Sequence, residues 1–308
     1  MKSYKTNFSA KKCFSAIAIA ALITGCSTTD DIAPVPEKAS KDAVITFRQA
    51  NVYLTEDNDE QAFKLYLKAA KAGHVPAMYK LGFCYSAGVG TELDPETGII
   101  WIRRAAVKGY ADAEFFMGHS IMVNPHSQEA DITDSANWLR KAAIQGHAGA
   151  NANLGLLYLK GVGVPKNTNL ALKHLGQAAR KGNTLAMFNL GHMYRAGYGV
   201  TKDHQHALEY YEQGAEAGDI PCMIYTGNMY LRGLGAIQDY DEAKMWFDKA
   251  AEKESAEAYF LLGTMYKNGT GVPVDIKLSD EYFAKAESKG YKRKDGAMPV
   301  PLKEGTNQ

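Results

Sequence analysis

The sequence predicts an all-α fold: a right-handed α-solenoid of about six 36-residue helix-turn-helix repeats plus capping helices. Three observations carry this reading. Ala69-Ala70, Ala105-Ala106, Ala142-Ala143, Ala178-Ala179, Gly214-Ala215 and Ala250-Ala251 recur at steps of 36, 37, 36, 36 and 36 residues. Twelve residues after each second Ala stands a glycine: Gly82, Gly118, Gly155, Gly191, Gly227 and Gly263. Three further on come Tyr85, Ile121, Tyr158, Tyr194, Tyr230 and Tyr266, followed by a Gly-x-Gly that only the second unit lacks. A period of this length marks units that bury their apolar faces only by stacking on neighbours.

Taken in chain order, residues 1–25 read as a signal peptide. Lys2 to Lys12 form a positive start, and Cys13 to Ile23 an apolar run of eleven residues. Such a run is too short to cross a bilayer core of about 30 Å as a helix, and its small-residue end suits export. Ile23-Thr24-Gly25-Cys26 resembles the lipobox of bacterial lipoproteins. The resemblance implies diacylglycerol on Cys26, cleavage before it and acylation of the new amino terminus. Ser27, in place of the Asp that favours inner-membrane retention, points to the outer membrane, facing the periplasm. Residues 26–41 are polar and proline-bearing and read as a lipidated tether.

Residues 42–58, with Ala43, Phe47, Ala50 and Tyr53, predict an amino-terminal capping helix, and 59–290 the repeats. Each repeat has room for a helix A and a helix B. In the second unit helix A runs from about Glu96 to Lys108. Asp94 is placed to cap it, Pro95 suits its first turn, and Gly109 suits a left-handed residue after its end. Ala243, Trp246, Phe247, Ala250 and Ala251 make an apolar stripe at helical spacing. Small residues at Ala243 and Gly263 let two backbones approach closely. Residues 276–290 read as a closing helix A, and 291–308, rich in Pro, Gly and charge, as a disordered tail.

One unit runs Asp-x-x-x-Ala-x-x-Trp-aromatic-x-x-Ala-Ala, then Ala-x-x-x-Leu-Gly-x-x-Tyr-x-x-Gly-x-Gly-Val, over Asp239 to Lys253 and Ala258 to Val272. It resembles the Sel-one-like repeat (SLR) class of tetratricopeptide-related proteins, with Glu254 where the class places a glycine. The resemblance covers about residues 59–290. It implies a non-catalytic scaffold for protein–protein interaction, here with an envelope protein partner. An envelope or exopolysaccharide assembly lipoprotein is an alternative known in the class. A β-lactam-processing role belongs to exported relatives with a Cys pair in every repeat, and those pairs are absent here.

The chemistry of the chain agrees. The formal net charge is +1, and the four lysines of residues 1–25 leave the remainder near −3. That balance offers no basic footprint for nucleic acid. Cys84 and Cys222 fall in apolar columns of helix B and read as core thiols. His74 shares a column with His147, and His119 with His192, as repeat positions do. His204-Gln205-His206 is half of a metal site with nothing to complete it, so no metal and no cofactor is expected. No catalytic motif is present; the Gly-x-Gly pairs end helices as turns rather than cradle phosphates. Two candidate partner-binding features remain. One is a column two residues before each second Ala, basic at Lys68, Arg104, Lys141 and Lys249. The other is the irregular segment Asn124 to Thr133, with Asn124 and His126, which breaks the array where loops often carry function.

Overall fold

The structure, a computed structural model, describes residues 38–291. The predicted signal peptide, Cys26, most of the tether and the tail beyond Tyr291 lie outside the described residues.

Within them the chain is all α-helix. Helices α1 (Lys41–Thr55), α2 (Asp59–Lys71), α3 (Val75–Ala87), α4 (Pro95–Val107), α5 (Ala111–Val123), α6 (Glu129–Ile144) and α7 (Ala148–Lys160) come first. Then follow α8 (Thr168–Ala179), α9 (Thr184–Ala196), α10 (His204–Glu216), α11 (Ile220–Arg232), α12 (Tyr240–Glu252), α13 (Ala256–Asn268) and α14 (Ile276–Ser288). The chain divides into two compact units between His174 and Leu175, inside α8.

The local reasons repeat along the chain. Most even-numbered helices open on a side chain that caps an otherwise orphaned amide: Asn58 accepts from Gln61 N, Asp94 from Thr97 N, Asn167 from Leu170 N, Asp203 from His206 N and Asp275 from Leu278 N. The backbone N–H of the capping residue in turn donates to the repeat tyrosine before it, as Asp94 does to Tyr85 and Asp239 to Tyr230, which closes the Gly-x-Gly turn. Both turn glycines adopt positive φ, +64° and +67° at Gly88 and Gly90. Gly90 also lies against the backbone of Asp59, where no side chain fits.

The tightest packing is not within the A-then-B unit expected from the sequence. It joins each helix B to the next helix A: α1 to α2, α3 to α4 and α5 to α6 in the first unit; α9 to α10, α11 to α12 and α13 to α14 in the second. Columns of small residues are the cause. A Cβ on Gly82 would lie 2.5 Å from Ile102 Cγ1 and 2.7 Å from the Gly98 carbonyl oxygen. Ser135 Oγ donates to the Gly118 carbonyl at 2.6 Å, and Ser279 Oγ to that of Gly263 at 2.8 Å. Between α7 and α8, His174 meets Asn151 at 2.9 Å and stacks on Tyr158. The helices read as caps therefore complete the first and last pairs, giving seven pairs rather than about six with caps. Tyr66, Tyr211 and Phe247 fill the seams and are fully buried; each such side chain is worth roughly 2 kcal/mol.

Candidate interaction surface

The basic column lies on the even-numbered helices. Lys68, Lys141 and Lys249 are exposed and Arg104 is half-buried. Three of the four cations stand over the tryptophan one turn earlier. Arg104 Cζ is 5.4 Å from the Trp101 ring, Lys141 Nζ 4.4 Å from Trp138 and Lys249 Nζ 4.0 Å from Trp246. Lys285 repeats the arrangement over Tyr282 at 5.5 Å. Contacts of this kind hold the cation in place while leaving its outer side to solvent.

Asn124 and His126 are brought together but play different parts. Asn124 is 7% exposed, and its side-chain oxygen accepts from the His126 backbone N–H at 3.0 Å. Ser127 Oγ donates to the Ile121 carbonyl, and Gln128 N–H to Asp131 Oδ2, so a compact turn replaces the missing Gly-x-Gly. The Asn124 side chain is thus spent on that turn, whereas the His126 side chain is exposed.

The odd-numbered helices carry a surface that the sequence reading missed. In the first unit Tyr79 and Phe83 of α3 and Phe115, Phe116 and His119 of α5 are half-buried. Tyr79 meets Phe83 edge-on at 4.9 Å, Phe83 meets Phe116 at 5.2 Å, and Phe115 stacks on His119 at 5.3 Å. His119 Nδ1 lies 3.0 Å from Asn153 Nδ2. Lys80 sits beside Asp112, its ammonium pushed down by burial. In the second unit Phe188, His192 and Tyr225 make a similar group, with Arg195 over Tyr225 at 5.7 Å. The available signal was the recurrence of Tyr79, Phe115, Phe188 and Phe260 three residues before the repeat glycine.

The remaining histidines and the cysteines have structural duties. His74 and His147 are N-caps, their Nδ1 atoms accepting from Ala77 N and Ala150 N. Burial pushes the imidazoles of His74, His119, His174 and His192 down, His192 to about 4. Cys84 and Cys222 are buried thiols outside any disulfide, and burial pushes the Cys222 thiol up. His206 Nδ1 meets Asp203 Oδ2 at 2.7 Å. Among the described residues no group of three or more His, Cys, Asp or Glu could hold a metal.

The Sel1 repeat profile matches residues 53–74, 75–110, 111–147, 148–183, 184–219, 220–255 and 256–291, most of the chain. The chain belongs to the Sel1 repeat family. The family unit of 75–110 takes in α3 and then α4, the pair that packs most closely. Two solved structures are similar. A Sel1 repeat protein from Oxalobacter formigenes is 29% identical with a TM-score of 0.70, over 82% of this chain and 98% of that one. A protective antigen present in uropathogenic Escherichia coli strains, displaying an SLR fold, is 28% identical with a TM-score of 0.71, over 80% of this chain and 54% of that one. Among curated proteins, an uncharacterised protein of Neisseria meningitidis is 30% identical over 122 residues, and chitin synthase regulatory factor 3 of Schizosaccharomyces pombe 33% over 82. The matches span 25% and 9% of those two relatives' lengths. Sel1 repeats generally mediate protein–protein interaction, and this chain has the corresponding scaffold.

Proposed function

We propose that this Sel1 repeat protein is a lipid-anchored scaffold of the cell envelope, tethered through Cys26 to the outer membrane on its periplasmic side, which binds an envelope protein without catalysing a reaction. The supporting observation is the row of half-buried aromatics on the odd-numbered helices, Tyr79, Phe83, Phe115 and Phe116. Aromatic side chains that retain accessible area on a rigid frame gain burial on binding at little entropic cost. The Asn124–His126 turn offers its exposed imidazole as a further contact. The basic column at Lys68, Arg104, Lys141 and Lys249 lies apart from that row, on the even-numbered helices, and differs from it in chemistry.

Two experiments test the two halves. Cys26→Ser should abolish acylation and release the protein from membranes; unchanged membrane association contradicts the anchor. Cross-linking in envelope extracts should capture one stoichiometric protein, and Phe83→Ser with Phe116→Ser should lose it while the helical circular-dichroism signal stays intact. Capture that survives those changes removes the aromatic row from the binding surface.

A further inference from the structure

One edge of the first unit combines charge with protruding aliphatic side chains. In the last turns of α2, α4 and α6 two parallel rows stand three residues apart: Lys68, Arg104 and Lys141, and beside them Lys71, Val107 and Ile144. Residues three apart share a helix face, so each row flanks the other. Val107 is 70% exposed and Ile144 81%. No Asp or Glu occurs in residues 61–75, 97–111 or 135–147, which hold these turns. Glu114, the carboxylate that lies near Lys141, is 4% exposed and already accepts from Gln145 Nε2 at 2.7 Å.

The negative end of the helix dipole favours a cation in any last turn, but it gives no reason to leave Val107 and Ile144 in water among them. Nor is the pattern general to the repeat. In the second unit the two rows read Gln177 and Arg180, Gln213 and Glu216, Lys249 and Glu252, Lys285 and Ser288. Mixed or acidic character replaces the cationic and aliphatic edge.

We propose that this edge of the first unit docks on an anionic phospholipid headgroup surface. The cations meet the headgroups and displace their counterions, while Val107 and Ile144 enter the boundary with the acyl chains. Fixing the ammonium and guanidinium groups over Trp101 and Trp138 lowers the entropy lost when they engage phosphate. The proposal agrees with an anchor at Cys26: the 15 residues from Cys26 to Ser40 span at most about 50 Å, which keeps the first unit near the bilayer. It does not depend on that anchor, so the two can fail separately.

The test uses non-acylated protein beginning at Ser27, which retains every described helix, and co-sedimentation with vesicles of phosphatidylcholine alone or mixed with phosphatidylglycerol. Binding should need phosphatidylglycerol and weaken as salt rises. Lys68→Glu with Arg104→Glu and Lys141→Glu should weaken it by about tenfold or more, and Val107→Ser with Ile144→Ser by severalfold. Lys249→Glu, in the same column of the second unit, should bind as the parent does, with circular dichroism confirming that all variants are folded. Equal sedimentation with both vesicle types, or an equal loss on Lys249→Glu, overturns the proposal. So does binding of soluble polyglutamate as tightly as the vesicles, since the edge would then be a site for an acidic protein.

Discussion

Gly191 of α9 lies flush against the ring of Tyr211 in α10: a Cβ on the glycine would stand 2.5 Å from Tyr211 Cε1 and 2.7 Å from Cδ1. Tyr211 is fully buried and has no free side toward which to move. Gly191→Val should therefore destabilise the fold by about 3 kcal/mol, the cost of overpacking a tight seam. Gly109 is a contrast, because nothing lies within 4 Å of its missing Cβ and only its φ of +80° resists a side chain. Gly109→Ala should cost about 1 kcal/mol. Urea midpoints of the two variants check the order; a Gly191→Val midpoint equal to the parent's refutes the seam.

Glu254 occupies a left-handed conformation, φ +61°, at the repeat position where Gly73, Gly109, Gly146, Gly182 and Gly218 stand. Its carboxylate meets Lys289 Nζ at 2.7 Å, but the Glu254 side chain is 69% exposed, so the ion pair adds little. Glu254→Gly should raise stability by about 0.5–1 kcal/mol through relief of the backbone. A lower melting temperature for this variant would show that the ion pair outweighs the strain.

The buried imidazoles make stability depend on pH. His192 is pushed down to about 4 by burial and by the adjacent Arg195, and it faces Tyr211 and Tyr225 across the packed helices. Its unfolded value is near 6.5, so between the two values the unfolded chain binds more protons. Stability then falls as pH drops from about 6.5 toward 4 and levels off below, a loss on the order of 2 kcal/mol from this group. His74, His119 and His174 shift in the same direction. Urea titrations at neutral and mildly acidic pH measure the slope, and His192→Phe should flatten it.

Cys222 is fully buried in α11 and Cys84 is 2% exposed in α3. Burial keeps the Cys222 thiol protonated, which removes the reactive thiolate. Ellman's reagent should label neither residue in the folded protein and both after denaturation. Rapid labelling of the native state would place one of them at the surface.

The fold was legible at the level of columns. Capping by Asp94, left-handed glycines such as Gly109, and core positions for Cys84 and Cys222 all follow from residue type, because the same local chemistry recurs every 36 residues. Pairing was not legible. Gly82 announces a close approach but not its partner, and the structure places Ile102 of the following helix against it rather than the helix before. The part Asn124 plays was not legible for a related reason. A polar residue in an irregular segment looks available until the backbone amide it accepts from is known.

The chain's periodicity by itself determined an all-helical repeat, its helix ends and its small-residue seams, since these depend on backbone freedom and side-chain volume within a few residues. Only the tertiary structure decided which seam each column closes and which aromatics keep an accessible side. It also decided that the column cations rest on Trp101, Trp138 and Trp246. Those outcomes depend on how successive helices rotate about one another, a property of packed neighbours that spacing along the chain does not encode.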